Sequence, residues 1–298
     1  MTNASLTIAP ARGHSAAGWI NGLVGMLIFS GSLPATRVGV QSFDPLFLTF
    51  ARAALAGIAA LAILAALRPT LPERRELPAL AITAFGVVLG FPLLTALALR
   101  HVTSAHAIVF IGLLPMATAI FGSLRAGERP RPTFWLFATL GAAIVSGYAL
   151  MQGADASLIG DTLMLAAVIA CGLGYAEGAI LSRRLGGWQV ICWALLISLP
   201  FAVPAALWFW PATWSGVTWP GYAALGYVSM FSMLIGFFFW YRGLAQGGIA
   251  AVGQLQLLQP FCGLALASLL LGERIAPTMG LAALAVMVCV FGAKRYGR

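Results

Sequence analysis

The sequence predicts an all-α polytopic membrane protein, with ten transmembrane helices arranged as two inverted five-helix repeats. Three observations predict it. Of the 298 residues, 61% are apolar and 8% are charged. Apolar runs of about 20 residues follow one another along the chain, the length a helix needs to cross about 30 Å of hydrocarbon. Short strings of residues also recur at a constant separation of 145 positions.

Composition decides the solvent. A soluble domain carries about 25% charged residues, so 8% is too few to cover a water-soluble surface of this size. In lipid every backbone polar group must be satisfied inside the protein, which leaves helices or a closed barrel. Barrel strands would alternate over about 10 residues, and the runs here are about twice that length. The net charge of +9 comes from 17 basic and 8 acidic residues. The basic residues sit in short turns between apolar runs. No basic domain exists to hold a duplex, so they read as topology signals and not as a nucleic-acid surface. Cys171, Cys192, Cys262 and Cys289 all fall inside apolar runs without Cys-x-x-Cys spacing. They read as small core residues, not as metal ligands or disulfides. No cofactor motif is visible.

The runs predict helices over Gly18–Val38, Pro45–Leu67, Leu77–Leu99, Ala105–Leu124 and Thr133–Met151. The second set covers Ile159–Leu181, Trp188–Trp208, Pro220–Tyr241, Gly248–Leu271 and Pro277–Ala293. Residues 1–17 form a polar tail, residues 18–152 a first repeat and residues 153–298 a second. The first apolar run is too long for a signal peptide and ends at Pro34-Ala35-Thr36-Arg37, which is no small-residue cleavage site. Pro200 and Pro204 interrupt the seventh run, so a nine-helix alternative would merge it. Charge argues against that. With ten helices both termini share one side, which carries 13 basic residues against 3 on the other, Arg37, Arg100 and Arg274. Nine helices would mix the two groups. The positive-inside rule then predicts both termini in the cytoplasm, and a bacterial-type inner membrane is the expected location.

The repeat is read from matched strings. Gly112-Leu113-Leu114-Pro115 corresponds to Leu257-Leu258-Gln259-Pro260. Gly127-Glu128-Arg129 corresponds to Gly272-Glu273-Arg274, and Pro132-Thr133 to Pro277-Thr278. Five helices is an odd number, so a tandem second copy must run upside down. Inverted repeats of this kind characterise secondary transporters, where exchanging the conformations of the halves changes which side is open.

Several polar or helix-breaking residues lie at membrane depth, where polar groups face a cavity or a partner. Pro115 and Pro260 occupy repeat-related positions, and each removes a backbone donor. Either they bend their helices or the breaks line a binding cavity. Glu177 lies about 9 Å from the Arg183 end of its helix. It is a candidate for proton coupling or ammonium capture, or for an ion pair with Arg37, Arg52 or the arginines on the side of the termini. Arg52 could pair with Asp44 or meet a substrate carboxylate, and Arg37 could gate the path. Gln254, Gln256 and Gln259 surround the Pro260 kink, and an amide can serve both ends of a zwitterion. Phe237, Trp240 and Tyr241 in the eighth helix, with Tyr175 in the sixth, either pack the core or wall an aromatic or apolar solute. Gly127-Glu128-Arg129 and Gly272-Glu273-Arg274 read as turn chemistry that ends a helix and fixes the next connection.

These residues resemble the EamA-type drug/metabolite transporters, whose repeats carry Pro in the fourth helix followed by Gly-Glu-Arg. The likeness covers nearly the whole chain. Arg52 in Phe50-Ala51-Arg52-Ala53 is similar to the basic residue of the family's second helix, and Arg37 to the Lys/Arg that ends its first. Ser32-Leu33-Pro34-Ala35-Thr36-Arg37 is similar to the YddG-type exporters of aromatic amino acids. The Trp-Gly common in the family's first helix is here Ser30-Gly31. The resemblance implies a ten-helix basket in which helices three, four, eight and nine line a central path. Helices one and six stand beside it, and helices five and ten lie at the periphery. It also implies export of amino acids, aromatic and other apolar ones, by alternating access, with other metabolites or drugs as the alternative cargo.

Other function classes fit less well. A membrane-embedded enzyme needs paired catalytic groups, and Asp161 and Glu177 lie 16 residues apart on one helix, about 24 Å by rise. His14, His101 and His106 form no His-Glu-x-x-His motif. A channel would need charged pore rings, which are absent. The partners implied are a small-molecule substrate and membrane lipid, and ten helices suffice to enclose a path within one chain.

Overall fold

The computed structural model describes residues 16–102, 104–151, 157–271 and 277–296. It is helical, and ten helices are long and apolar enough to cross a membrane. The first five are α1 (Ala16–Gly39), α2 (Pro45–Leu67), α3 (Arg74–Ala98), α4 (Ser104–Ile111, then Leu114–Ala126) and α5 (Pro132–Met151). The second five are α6 (Leu158–Leu185), α7 (Gly187–Trp208), α8 (Trp219–Gly247), α9 and α10 (Pro277–Tyr296). The pieces of α9 are Ile249–Gly253, Gln254–Leu258 and Gln259–Leu271. The seventh helix runs through Pro200 and Pro204 without ending. Large apolar side chains such as Leu27, Leu61, Leu136, Leu284 and Phe291 lie exposed on the outside of the bundle, where lipid is the solvent.

The inverted repeat is written into the helix bounds. Within the described residues α5 covers 132–151 and α10 covers 277–296, displaced by 145 residues. The pieces of α4 start at 104 and 114, and those of α9 at 249 and 259. Packing obeys the same exchange. Helix α1 packs on α8 as α6 packs on α3, α4 packs on α6 as α9 packs on α1, and α2–α7, α4–α9 and α5–α10 are self-matched pairs. A pseudo-twofold axis in the membrane plane is the geometry that makes all five statements true together.

The repeat extends to the backbone defects. Helix α3 widens to a π turn over Ala84–Gly90 and α8 over Tyr227–Ile235. The Phe91 N–H reaches back five residues to the Gly86 carbonyl, and the Gly236 N–H reaches the Phe231 carbonyl, again 145 positions on. In α3 the wide turn lies just before Pro92, whose ring would otherwise clash with the carbonyl of Val88. In α8 the matching residue is Phe237, so the wide turn belongs to the repeat and not to proline alone.

Close backbone approach sets the α1–α8 interface. A Cβ on Gly243 would lie 2.7 Å from Gly22 Cα, and one on Gly25 would lie 2.9 Å from the Trp240 amide nitrogen. Both helices meet through glycine, the residue that lets membrane helices touch. Gly147 on α5 faces open space, with nothing within 4 Å of a Cβ. Gly243→Ala is expected to lower the melting temperature in detergent by forcing the helices apart, an overpacking cost of about 1–3 kcal/mol. Gly147→Ala is expected to leave it unchanged or raise it. Equal melting of both variants would contradict this packing.

Candidate functional site

The site is a cavity of about 410 Å³ within the bundle. Its size falls in the roughly 300–1,000 Å³ range of small-molecule sites. From mid-membrane it extends toward the face opposite the termini, where Thr36, Val40, Pro45 and Arg100 line it. Its deep end is lined by Phe29 of α1, Tyr175 of α6, Phe237 of α8 and Gln256 of α9.

The helix breaks shape this cavity. In α4 the Leu113 N–H bonds to the Phe110 carbonyl at 2.8 Å, three residues back. The Val109 carbonyl, its partner in a regular helix, instead accepts from the Ser146 hydroxyl of α5 at 2.9 Å. Pro115 follows, buried, and its carbonyl accepts from Gln254 Nε2 of α9 at 3.3 Å. In α1 the break at Gly31 is backed by the Tyr227 hydroxyl of α8, which donates to the Ile28 carbonyl at 2.8 Å. Polar groups freed at mid-membrane are thus claimed by neighbouring helices, as lipid requires.

Beneath the cavity lies a plug of aromatic rings. Phe29 and Phe237 stand 4.9 Å apart between centroids, Tyr175 and Trp240 5.6 Å, and Phe237 and Tyr241 5.3 Å. Trp240 and Tyr241 are fully buried below the lining. The Tyr241 hydroxyl donates to the Gly174 carbonyl at 3.3 Å, and Gln256 Nε2 donates to the Tyr175 hydroxyl at 3.1 Å.

On the side of the termini, charge pairs close the bundle. Glu177 is buried and accepts from the half-exposed Arg125 at the end of α4. Arg184 of α6 pairs with Glu76 at the start of α3. Glu128 does more. Its two carboxylate oxygens accept from the Ile249 and Ala250 amides at 2.8 Å each, and Arg183 lies 3.4 Å from it. The N-terminus of α9 presents unpaired amides and a partial positive charge. Its own cap residue is Gly248, which has no side chain to offer. A carboxylate delivered from the end of α4 satisfies it instead. Gly127, at φ +68°, turns the chain so that Glu128 can reach.

The candidate residues read from the sequence therefore divide. Gln256, Gln259, Tyr175, Phe237, Arg52 and Pro260 line the cavity. Gln254, Trp240, Tyr241, Pro115 and Glu177 are buried outside its lining. Arg37 is exposed at the end of α1, while its neighbour Thr36 lines the wall. For Glu177 the structure selects, among the partners weighed, an arginine on the side of the termini. The turn residues Gly272-Glu273-Arg274 lie outside the described residues.

Two features go beyond the sequence reading. Helix α2 forms part of the wall through Leu48, Thr49 and Arg52, although the family likeness had placed the path between other helices. Glu128 is a cross-repeat cap and not turn chemistry alone. The signal for it was the missing Ser, Thr, Asp or Asn ahead of Ile249.

Comparison with known proteins agrees with this architecture. The chain matches the EamA-like transporter family twice, over residues 16–150 and 158–293, and it belongs to that family. A Bacillus subtilis protein described as the uncharacterized transporter YdeK is 62% identical over 281 residues, 94% of this chain and 98% of its own. A protein of Streptantibioticus cattleyicolor, named a probable terminal-alkyne amino-acid exporter, is 24% identical over 262 residues, 86% of each chain. One solved crystal structure superposes with a TM-score of 0.80 at 19% identity, covering 94% of this chain and 99% of its own. That likeness shows the fold.

Glu128 supplies a direct test of the closed side. Glu128→Ala is expected to strip two backbone amides of a charged acceptor and cost about 1–3 kcal/mol, read as a lower melting temperature in detergent. Glu128→Gln, which keeps one acceptor oxygen, is expected to lose less. An unchanged melt for the alanine variant would show that the cap does not hold α9.

Proposed function

We propose that this EamA-family transporter exports small amphipathic solutes, first among them amino acids with apolar or aromatic side chains, by alternating access. The observation that carries the reading is the cavity itself. It lies where the two inverted repeats meet, it is walled mainly by apolar and aromatic side chains, and Gln256, Gln259 and Arg52 are its convergent polar groups. The bundle is closed toward the termini by Arg125–Glu177, Arg184–Glu76 and the Glu128 cap. The excess of basic residues on the side of the termini supports a cytoplasmic location for both ends in a bacterial inner membrane. In that orientation the cavity faces outward, the state from which an exporter releases its cargo. The distant relative named as an exporter of terminal-alkyne amino acids supports the same class of cargo.

Glu177 then serves the gate. Its pairing with Arg125 and its position outside the cavity favour a role in holding the closed side over one in carrying a proton with the substrate.

The test is uptake of an amino-acid panel into liposomes holding the purified protein, with and without a pH gradient. Saturable uptake of phenylalanine, tyrosine or tryptophan is expected. Glu177→Gln is expected to alter its rate without abolishing its response to the amino-acid gradient. If no amino acid is taken up under either condition, the substrate assignment falls, and the cargo must be sought among other metabolites and drugs.

A further inference from the structure

Arg52 stands about 10 Å into α2 by helix rise, seven residues beyond Pro45. Its Nε is buried with no hydrogen-bond partner, and its side chain lines the cavity. A guanidinium at membrane depth is costly unless something neutralises it. The nearest acid in sequence, Asp44, is committed elsewhere, because it caps α2 by accepting from the Leu46 and Phe47 amides at 2.8 and 3.2 Å. Glu73, Glu76, Glu128 and Glu177 each hold an arginine partner. Among the described residues that line the cavity there is no Asp or Glu. The cavity therefore carries an unmatched positive charge on its α2 wall.

Two more residues that line the same space carry a buried polar atom without a partner. Thr95 Oγ1 on α3 and Gln256 Oε1 on α9 are buried without partners, and both residues line the cavity. The π turn of α3 ends at Gly90, so Thr95 stands on the straight segment beyond it, and that segment packs against α2. Gln256 donates one Nε2 hydrogen to the Tyr175 hydroxyl, and its carbonyl oxygen can only accept. The three orphans are thus a cationic fork, a hydroxyl that can donate, and a neutral acceptor. Phe29, Phe91 and Phe237 supply the apolar remainder of the wall.

From this set we infer that Arg52 is the anchor for a carboxylate of the transported solute, with Thr95 as a second donor to it. Gln256 Oε1 then accepts from an ammonium, and the aromatic wall takes the apolar body. The inference rests on the reading of the cavity as the transport site, and it narrows the cargo to small carboxylates. A guanidinium matches a carboxylate with two parallel N–H donors, which an amine or an alcohol cannot use. Amines lacking a carboxylate are disfavoured by the same unmatched charge.

The test compares ligands that differ by one group. Phenylalanine, 3-phenylpropionate and phenethylamine are titrated calorimetrically against the intact protein in nanodiscs. Both carboxylates are expected to bind the wild type about tenfold or more tightly than phenethylamine. In Arg52→Gln that gap is expected to collapse, and Arg52→Lys is expected to restore part of it. The wild-type comparison stands even if Arg52→Gln fails to fold. Equal binding of phenylalanine and phenethylamine to the wild type overturns the anchor and leaves the amino-acid reading in place. Tight binding of 3-phenylpropionate with none of phenylalanine upholds the anchor and overturns the amino-acid reading. Absence of binding by all three overturns the anchor.

Discussion

Hydrocarbon offers no water to a broken helix, and the rest of this structure depends on how that constraint is met. A backbone carbonyl or amide freed at mid-membrane must find a partner inside the protein. Here three carbonyls near the breaks find theirs across helices. Ser146 of α5 takes the carbonyl of Val109, Tyr227 of α8 takes that of Ile28, and Gln254 of α9 takes that of Pro115. These bonds let α1 and α4 break without exposing polar backbone to lipid. The breaks and wide turns fall in α1, α3, α4, α8 and α9, and those helices wall the cavity. Helices α5, α7 and α10 run unbroken and contribute nothing to the lining. The continuous helices α2 and α6 complete the wall, so every helix with irregular backbone borders the cavity, though not every helix that borders it is irregular.

The odd number of helices per repeat adds a second constraint. It turns the second copy over, so that α1 meets α8 as α6 meets α3. The matched π turns at Ala84–Gly90 and Tyr227–Ile235 then lie on opposing walls, one in each half. A wide turn is a place where a helix can change its pitch at low cost, because its i→i−5 bonds can revert to i→i−4. Two such turns related by the pseudo-twofold axis give each half the same place to bend.

Much of this was legible in the sequence, and what was legible was what composition and spacing encode. Ten apolar runs, the 145-residue offset and the prolines at 115 and 260 predict the helices and their inversion directly. The π turns were not legible, because widening a helix by one residue barely changes an apolar run that faces lipid or core on every side. Glu177 was legible as a buried carboxylate in need of a partner. Its choice of Arg125 depends on how α4 packs on α6, which no local pattern carries. Arg52 was legible as an intramembrane cation. That it would lack a partner follows only when Asp44 is seen to cap its own helix. Gln254 and Gln256 point to different tasks because residues two apart lie on different faces of a helix, whether 3₁₀ or α.

Charge is where the two halves part company. The closed side is held by Arg125–Glu177 and Arg184–Glu76. The positions related to these by 145 residues are Leu270 and Ser32 for the first pair, and Gly39 and Gly221 for the second. None of the four can form an ion pair. The repeat has therefore duplicated the backbone geometry of bending without duplicating these two ion pairs. An ion pair with one member buried depends on being kept away from water, since its desolvated carboxylate has no other compensation. Closure toward the termini thus carries an electrostatic term that these positions cannot supply to closure on the opposite side. The unmatched charge in the middle, Arg52, belongs to neither set. A bound anion would neutralise it in whichever state encloses it, and its contribution would be largest where the cavity is driest.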